Sequence, residues 1–213
     1  MAEIKWFGHA CVRVRGRDVT VLMDPVPPSS GYTMGRQRAD IVTISHPHPG
    51  HNALDLVRPG FRAITGPGEY EIKDTFITGI RTYHDDEGGR RLGKNTSYLL
   101  EVEDLVICHL GDIGHVLTDE QAEQLSMVDI LLVPVGGGPT IDAERAVEII
   151  GQVEPSIVIP LQYRTERGDH ERDPLDRFLR QMGVSDVTPQ DSLSIRKADL
   201  GETVSVIVLT PGS

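Results

Sequence analysis

The sequence is short of several things at once, and each shortage removes a class of protein. Two cysteines, Cys11 and Cys108, are all that occur in 213 residues. Each lies inside an apolar, strand-like run, so both read as reduced core residues rather than a disulfide, which suits a cytoplasmic protein. Basic residues are also scarce: 21 Lys and Arg stand against 32 Asp and Glu, a net charge of −11. A surface of that sign repels polyanions and makes nucleic acid and anionic membranes poor partners. No apolar run approaches the ~18 residues of a membrane span. The opening segment MAEIKWFGHACV lacks the charged-then-apolar order of a secretory signal. What remains is 38% hydrophobic and 25% charged, a soluble globular profile, and the length suits one domain over 1–213 with a substantial core.

The first part of the chain reads as strands. Glu3 to Phe7, Ala10 to Arg15 and Val19 to Asp24 are separated by short turns, and Pro25 to Arg38 is a long loop. After Ile41 to Ile44 and a short helical piece at Ala53 to Val57 come strands at Phe61 to Thr65, Glu69 to Ile72 and Thr75 to Tyr83. A hairpin follows, Thr96 to Val102 with Leu105 to His109. The later part alternates. Thr118 caps a helix to about Leu125, Ile130 to Val135 and Ser156 to Leu161 are apolar enough for strands covered on both faces, and Asp142 to Val153 and Pro174 to Met182 are helical. Strands at Ser192 to Arg196 and Val204 to Leu209 close the chain. Strands first and alternation later predict two sheets packed face to face with helices outside, a four-layer α/β arrangement.

The chemistry concentrates at Ile41 to Asn52, reading IVTISHPHPGHN. A β-branched run empties into His46, His48 and His51, and α/β folds place their reactive groups at such carboxyl ends. Pro47 and Pro49 push the residues before them into extended backbone, which turns the imidazoles of His46 and His48 to one side. Gly50 permits a positive-φ turn that brings His51 back toward the same point. Imidazole is the commonest borderline-soft ligand, so the cluster reads as a metal site. The plain alternative is a polar surface turn with incidental histidines, and eight histidines in the whole chain would rarely gather so.

Residues just beyond other strand ends add Asp24, His84, Asp112 and Gln162. With Trp6-Phe7-Gly8-His9-Ala10 at the front, this ordered set resembles the metallo-β-lactamase superfamily. It is most similar to the small bacterial metal-dependent hydrolases near the ascorbate-phosphate lactonase branch. The resemblance runs from Trp6 to Tyr163 and implies an αββα sandwich. Against the family's H-x-H-x-D-H signature, His46 and His48 match the first pair and His51 the last histidine. His84 matches the downstream histidine, and Asp112 in His109-Leu110-Gly111-Asp112 the bridging carboxylate.

Two positions depart. Gly50 stands where the family has aspartate, and Gln162, in Pro160-Leu161-Gln162-Tyr163, where it has a final histidine. Both losses fall on the second metal position. The resemblance therefore implies one ion held by His46, His48 and His84 with Asp112 in reach, and His51 as weak ligand or supporting donor. Zinc is expected, with manganese, iron or nickel as alternatives. Asp112 is the candidate general base, and Gln162 the donor to a developing oxyanion. The implied activity is hydrolysis of a small ester, lactone, amide or phosphoester. A degenerate member that binds a metabolite or a protein without turnover is the alternative that Gly50 and Gln162 support. A homo-oligomer is left open.

Bland roles are expected elsewhere. Asp24 resembles the family's structural aspartate, His9 and Trp6 pack near the sheet, His109 is a core residue, His115 is a candidate pocket wall, and His170 is solvated. The loops Pro25–Arg38 and Arg164–Asp173 are candidate covers for the site. Gly136–Gly138 lacks the Lys-Ser/Thr context of a P-loop. A TIM-barrel amidohydrolase, which also uses H-x-H, needs ~250 residues and eight strand–helix units, more than this hairpin-led chain supplies.

Overall fold

The computed structural model describes residues 1–212. Strands β1 (Ala2–Gly8), β2 (Cys11–Arg15) and β3 (Thr20–Met23) form an antiparallel meander. The chain then crosses over to β4 (Ile41–Thr43) and β5 (Arg62–Ile64), both parallel to β3. A late strand, β12 (Leu193–Ile195), closes the first sheet against β1 in the order β12-β1-β2-β3-β4-β5.

The second sheet begins with the antiparallel run β6 (Gly68–Ile72), β7 (Thr75–Tyr83), β8 (Lys94–Val102) and β9 (Leu105–His109). Parallel strands β10 (Ile130–Pro134), β11 (Ile157–Leu161) and β13 (Ser205–Val206) extend it. Every residue of β10 and β11 is buried, as their unbroken apolar runs predict.

The sheets face each other across one apolar core. Alternation decides which residues enter it: Ile4, Trp6, Val12, Val14, Val21 and Met23 of the first sheet meet Tyr98, Leu100, Ile107 and Leu132 of the second. The Tyr98 hydroxyl also crosses the gap and donates to the carbonyl of Ile44, 2.9 Å away, just before the histidine stretch.

Three α-helices join this core: α1 (Asp119–Gln124), α2 (Ala143–Val153) and α3 (Leu175–Gln181). Helix α2 packs on β10 and on α3, burying Ala143, Ala146, Ile149, Ile150 and Val153 at helical spacing. The outer face of the first sheet is covered differently. Phe7, Cys11, Leu22 and Val42 pack there under Val26, Tyr32, Met34 and Ala39 of the long loop, with Val57, Leu54 and Leu56 beside them. The helical piece expected at Ala53 to Val57 is a single 3-10 turn, Leu54–Leu56. One outer layer of the αββα sandwich is thus mostly loop: nine residues separate Pro49 from Pro59, and a stretch that short, opened by Gly50, does not sustain an α-helix of its own. The closing strand expected at Val204 to Leu209 shrinks to Ser205–Val206, with an isolated bridge at Leu209. No helix among the described residues is long and apolar enough to cross a membrane.

Candidate metal centre

Six strand ends deliver side chains to one point between the sheets. Strand β4 leads to the 46–51 turn, β3 to Asp24, β7 to His84, β9 to Asp112, β11 to Gln162 and β1 to His9. The turn is pinned from both sides: the Ser45 carbonyl accepts from the amide of Thr96 at 2.8 Å, and the His51 amide donates to the His48 carbonyl at 3.0 Å. Gly50 does not have the positive φ expected of it; φ > 0 occurs instead at His9, Asp24, Gln162 and Gly111 among the site residues. At Gly111 the glycine is required. Its φ is +61°, and a Cβ there would lie 2.5 Å from the Cβ of Ser45 and 2.7 Å from Oδ1 of Asn95.

The ring orientations follow from Asp24. Its Oδ2 accepts from Ser45 Oγ at 2.6 Å and from His51 Nδ1 at 2.9 Å, and its Oδ1 accepts from the Ser45 amide at 2.7 Å. Because the Ser45 hydroxyl hydrogen is directed to Asp24, Ser45 Oγ accepts from His46 Nδ1, 3.0 Å away. One carboxylate therefore makes Nδ1 the donor in both rings and turns the Nε2 atoms of His46 and His51 toward Asp112. Asp24 performs the loop-holding role expected of it.

Asp112 lies at the middle. Its Oδ2 is 3.2 Å from His51 Nε2, 3.5 Å from His84 Nε2 and 3.8 Å from His46 Nε2. Its Oδ1 accepts from Gln162 Nε2 at 2.7 Å, and its amide donates to Asn95 Oδ1 at 3.0 Å. Burial alone would raise this carboxyl's pKa, but the charge and hydrogen bond of His51 outweigh it and hold it well below the usual range. Burial pushes the His46 imidazole down to about 4 and lowers His84 too, so both stay neutral and ready to ligate. For His51, burial acts downward, but Asp112 and Asp24 together raise it to about 10.

The donor set fits a metal ion. His46 Nε2 is buried with no hydrogen-bond partner, a costly state that coordination would relieve. Donor atoms of His46, His84 and Asp112 lie within 4.8 Å of one another, as do those of His46, His48 and His51. His48 is the exposed member. Its ring stacks on His46 at 5.7 Å and 20°, and it shares no such group with His84, contrary to the expected trio of His46, His48 and His84. The cause is local: Pro47 folds the backbone so that the His48 amide donates to the His46 carbonyl at 2.9 Å, tighter than a fully extended run.

Two catalytic expectations change. Gln162 is fully buried and already committed: its Nε2 donates to Asp112 Oδ1 and, at 3.4 Å, to the Gly111 carbonyl, while Oε1 accepts from Arg172 at 3.0 Å. Neither amide hydrogen is free for an oxyanion, so Gln162 positions Asp112. Asp112 itself, with its pKa held low and Oδ2 ringed by imidazoles, is a better ligand than base.

A family model described as a β-lactamase superfamily domain matches residues 3–162. A crystal structure from Thermotoga maritima, provisionally named a Zn-dependent hydrolase of the metallo-β-lactamase superfamily, is 34% identical with a TM-score of 0.82, covering 98% of each chain. The chain belongs to the metallo-β-lactamase superfamily. Among curated relatives, a UPF0173 protein of Pyrococcus abyssi is 28% identical over 91% of this chain and 100% of its own length. A UPF0173 metal-dependent hydrolase of Thermoplasma volcanium is 28% identical over 76% of this chain and 84% of its own length.

Within this superfamily fold, three further residues at the centre escaped the sequence reading. His9 does not pack quietly against the sheet: its Nε2 lies 3.1 Å from His51 Nε2, and its Nδ1 bonds Asp169 Oδ1 at 2.8 Å. Asp169 and the buried Arg172 both come from the charged 164–173 loop. Position after a strand end was the available signal for His9, the same one that marks His84. Asp169 and Arg172 carry no local signal, since a charged loop reads as solvated. His109 is a core residue as expected, donating to the Ala10 carbonyl at 2.9 Å. His115, a candidate pocket wall in the sequence, accepts from the Tyr83 amide at 3.1 Å and bonds the Val116 carbonyl at 2.7 Å, bracing the strand end that carries His84.

Proposed function

We propose that the 213 residues form one metal-dependent hydrolase unit acting on a small ester, lactone, amide or phosphoester. The observation that carries this reading is the buried, unpartnered Nε2 of His46 facing the Asp112 carboxylate and the His84 ring. His46, His84 and Asp112 would hold the ion, with the exposed His48 beside His46 on the solvent side. Zinc suits imidazole and carboxylate donors, and bound there it would supply Lewis acidity and a water acidified to a pKa of about 7.

The chain's own residues do the rest. Asp24 and Ser45 fix the rings, while Gln162, held by Arg172, fixes Asp112. A cavity of about 500 Å3 beside His46 and His48 gives a substrate room, with Thr65, Leu92 and Thr96 on its walls. Arg81 and Lys94 on the same walls favour a substrate with an anionic end. The two buried, reduced cysteines suit the cytoplasm.

A second reading, a member that binds without turnover, is favoured by one observation: neither Asp112 nor Gln162 is free for proton transfer or oxyanion binding. A hydrolysis screen on zinc- and manganese-loaded protein, with His46→Ala alongside, separates the two. We expect activity against at least one ester or phosphoester that falls 100-fold or more in the variant, in line with the loss of a metal ligand. Activity that persists undiminished in His46→Ala would reject the proposed centre.

A further inference from the structure

Resting on the reading above, we infer that His9 supplies the ligand that Gly50 withholds, so that His9, His51 and Asp112 form a second cation position beside the first. The two rings face each other with Nε2 atoms 3.1 Å apart. Each has its other nitrogen bound to a carboxylate, His9 Nδ1 to Asp169 Oδ1 at 2.8 Å and His51 Nδ1 to Asp24 Oδ2 at 2.9 Å. Ionised carboxylates only accept, so both Nδ1 atoms carry a hydrogen and both Nε2 atoms turn into the same gap. Two nitrogens so placed repel unless a proton or a metal ion stands between them.

Asp112 Oδ2, 3.2 Å from His51 Nε2, makes the third corner, and the three donors lie within 4.8 Å of one another. Ligand atoms on a tetrahedral zinc, at ~2.0–2.1 Å from the metal, sit roughly 3.3 Å apart, close to the two separations seen here. A single proton satisfies at most two of three such acceptors; a metal ion satisfies all three. Carboxylates behind both imidazoles are also the usual support of ligating histidines.

Gly50 explains why His9 is needed. Its φ is not in the left-handed region, so the backbone there does not demand glycine. A Cβ added at this position would stand 3.4 Å from His9 Nε2 and 3.6 Å from His48 Nδ1. The ring tip of His9 therefore occupies the ground onto which a carboxylate from residue 50 would open. Considerable structure holds it there. His9 sits at φ +51° with its carbonyl accepting from Trp6 Nε1 at 2.9 Å; Asp169 sits at φ +56° with Oδ2 accepting from the Tyr32 hydroxyl at 3.0 Å. Arg172 is not the missing cation. Its Nη atoms donate to the Gly137 carbonyl, Thr140 Oγ1 and Gln162 Oε1, and its Nε stands 3.9 Å from Asp169 Oδ1; none of these is a donor atom of the proposed position.

The test is a cobalt(II) titration of the chelator-stripped full chain, followed by visible absorption and by elemental analysis after gel filtration. Wild type should take two equivalents, the weaker of which disappears in His9→Asn, a replacement that tolerates positive φ. Adding Gly50→Asp to His9→Asn should restore it. Asp169→Asn should weaken the second equivalent about 10–100-fold while leaving the first unchanged, and it reports even if His9→Asn fails to fold. A wild type that takes one equivalent, or a His9→Asn protein that keeps two, overturns the inference and spares the centre at His46, His84 and Asp112. A wild type that takes none overturns both.

Discussion

At the scale of single residues, Asp24 and Gly111 govern more than the ligands do. Asp24 sets the tautomer of His51 directly and of His46 through Ser45. Asp24→Asn keeps the shape but can offer a hydrogen where two are now accepted, so one imidazole must turn its lone pair away. Metal affinity should fall about 10–100-fold, measured by competition with a chromophoric chelator, with little change in the fold. Gly111→Ala adds a left-handed penalty to a clash with Ser45 and Asn95, and should cost roughly 2 kcal/mol or more in urea unfolding. Both residues were visible in the sequence as landmarks, Asp24 before a proline and Gly111 before an aspartate. The turn at Gly50 was misread, because a glycine between proline and histidine suggests backbone freedom when here it makes room for another side chain.

At the scale of elements, the strands were legible and the covers were not. Alternation and β-branched runs mark twelve strands nearly to their ends because each faces a core on at least one side. The layer over the first sheet has no period to read, since Val26, Tyr32, Met34 and Ala39 are buried from an irregular loop. The same limit hid Asp169. Helix α1 is the opposite case: Thr118 and Gln121 form a reciprocal capping box, announced by Thr-Asp-Glu-Gln in the sequence. With six residues it has little cooperativity of its own, so Thr118→Ala should lower stability by about 1 kcal/mol. Gln121 also donates from its side chain to the Arg81 carbonyl at 2.8 Å. Loss of the cap should therefore speed amide exchange in the β7 end that carries His84, readable by hydrogen exchange.

For the whole molecule, the buried charges predict how stability responds to pH once metal is stripped. His46 has its pKa lowered from 6.5 to about 4, so its contribution is present above 6.5 and is lost as pH falls toward 4. His51 has its pKa raised from 6.5 to about 10, so its contribution is full below 6.5 and is lost as pH climbs toward 10. Thermal midpoints in excess chelator should peak between these losses and drop on both sides. Bound metal should flatten the alkaline limb, because the ion replaces the proton between His51 and Asp112. A midpoint that rises steadily from pH 7 to 10 in chelator would contradict the charged arrangement around His51. His9 and Asp169, which the second cation position unites, are 160 residues apart along the chain. A growing polypeptide accordingly carries His9 through 160 further residues before the carboxylate that aims it emerges, and the second position cannot fill until that segment has been made.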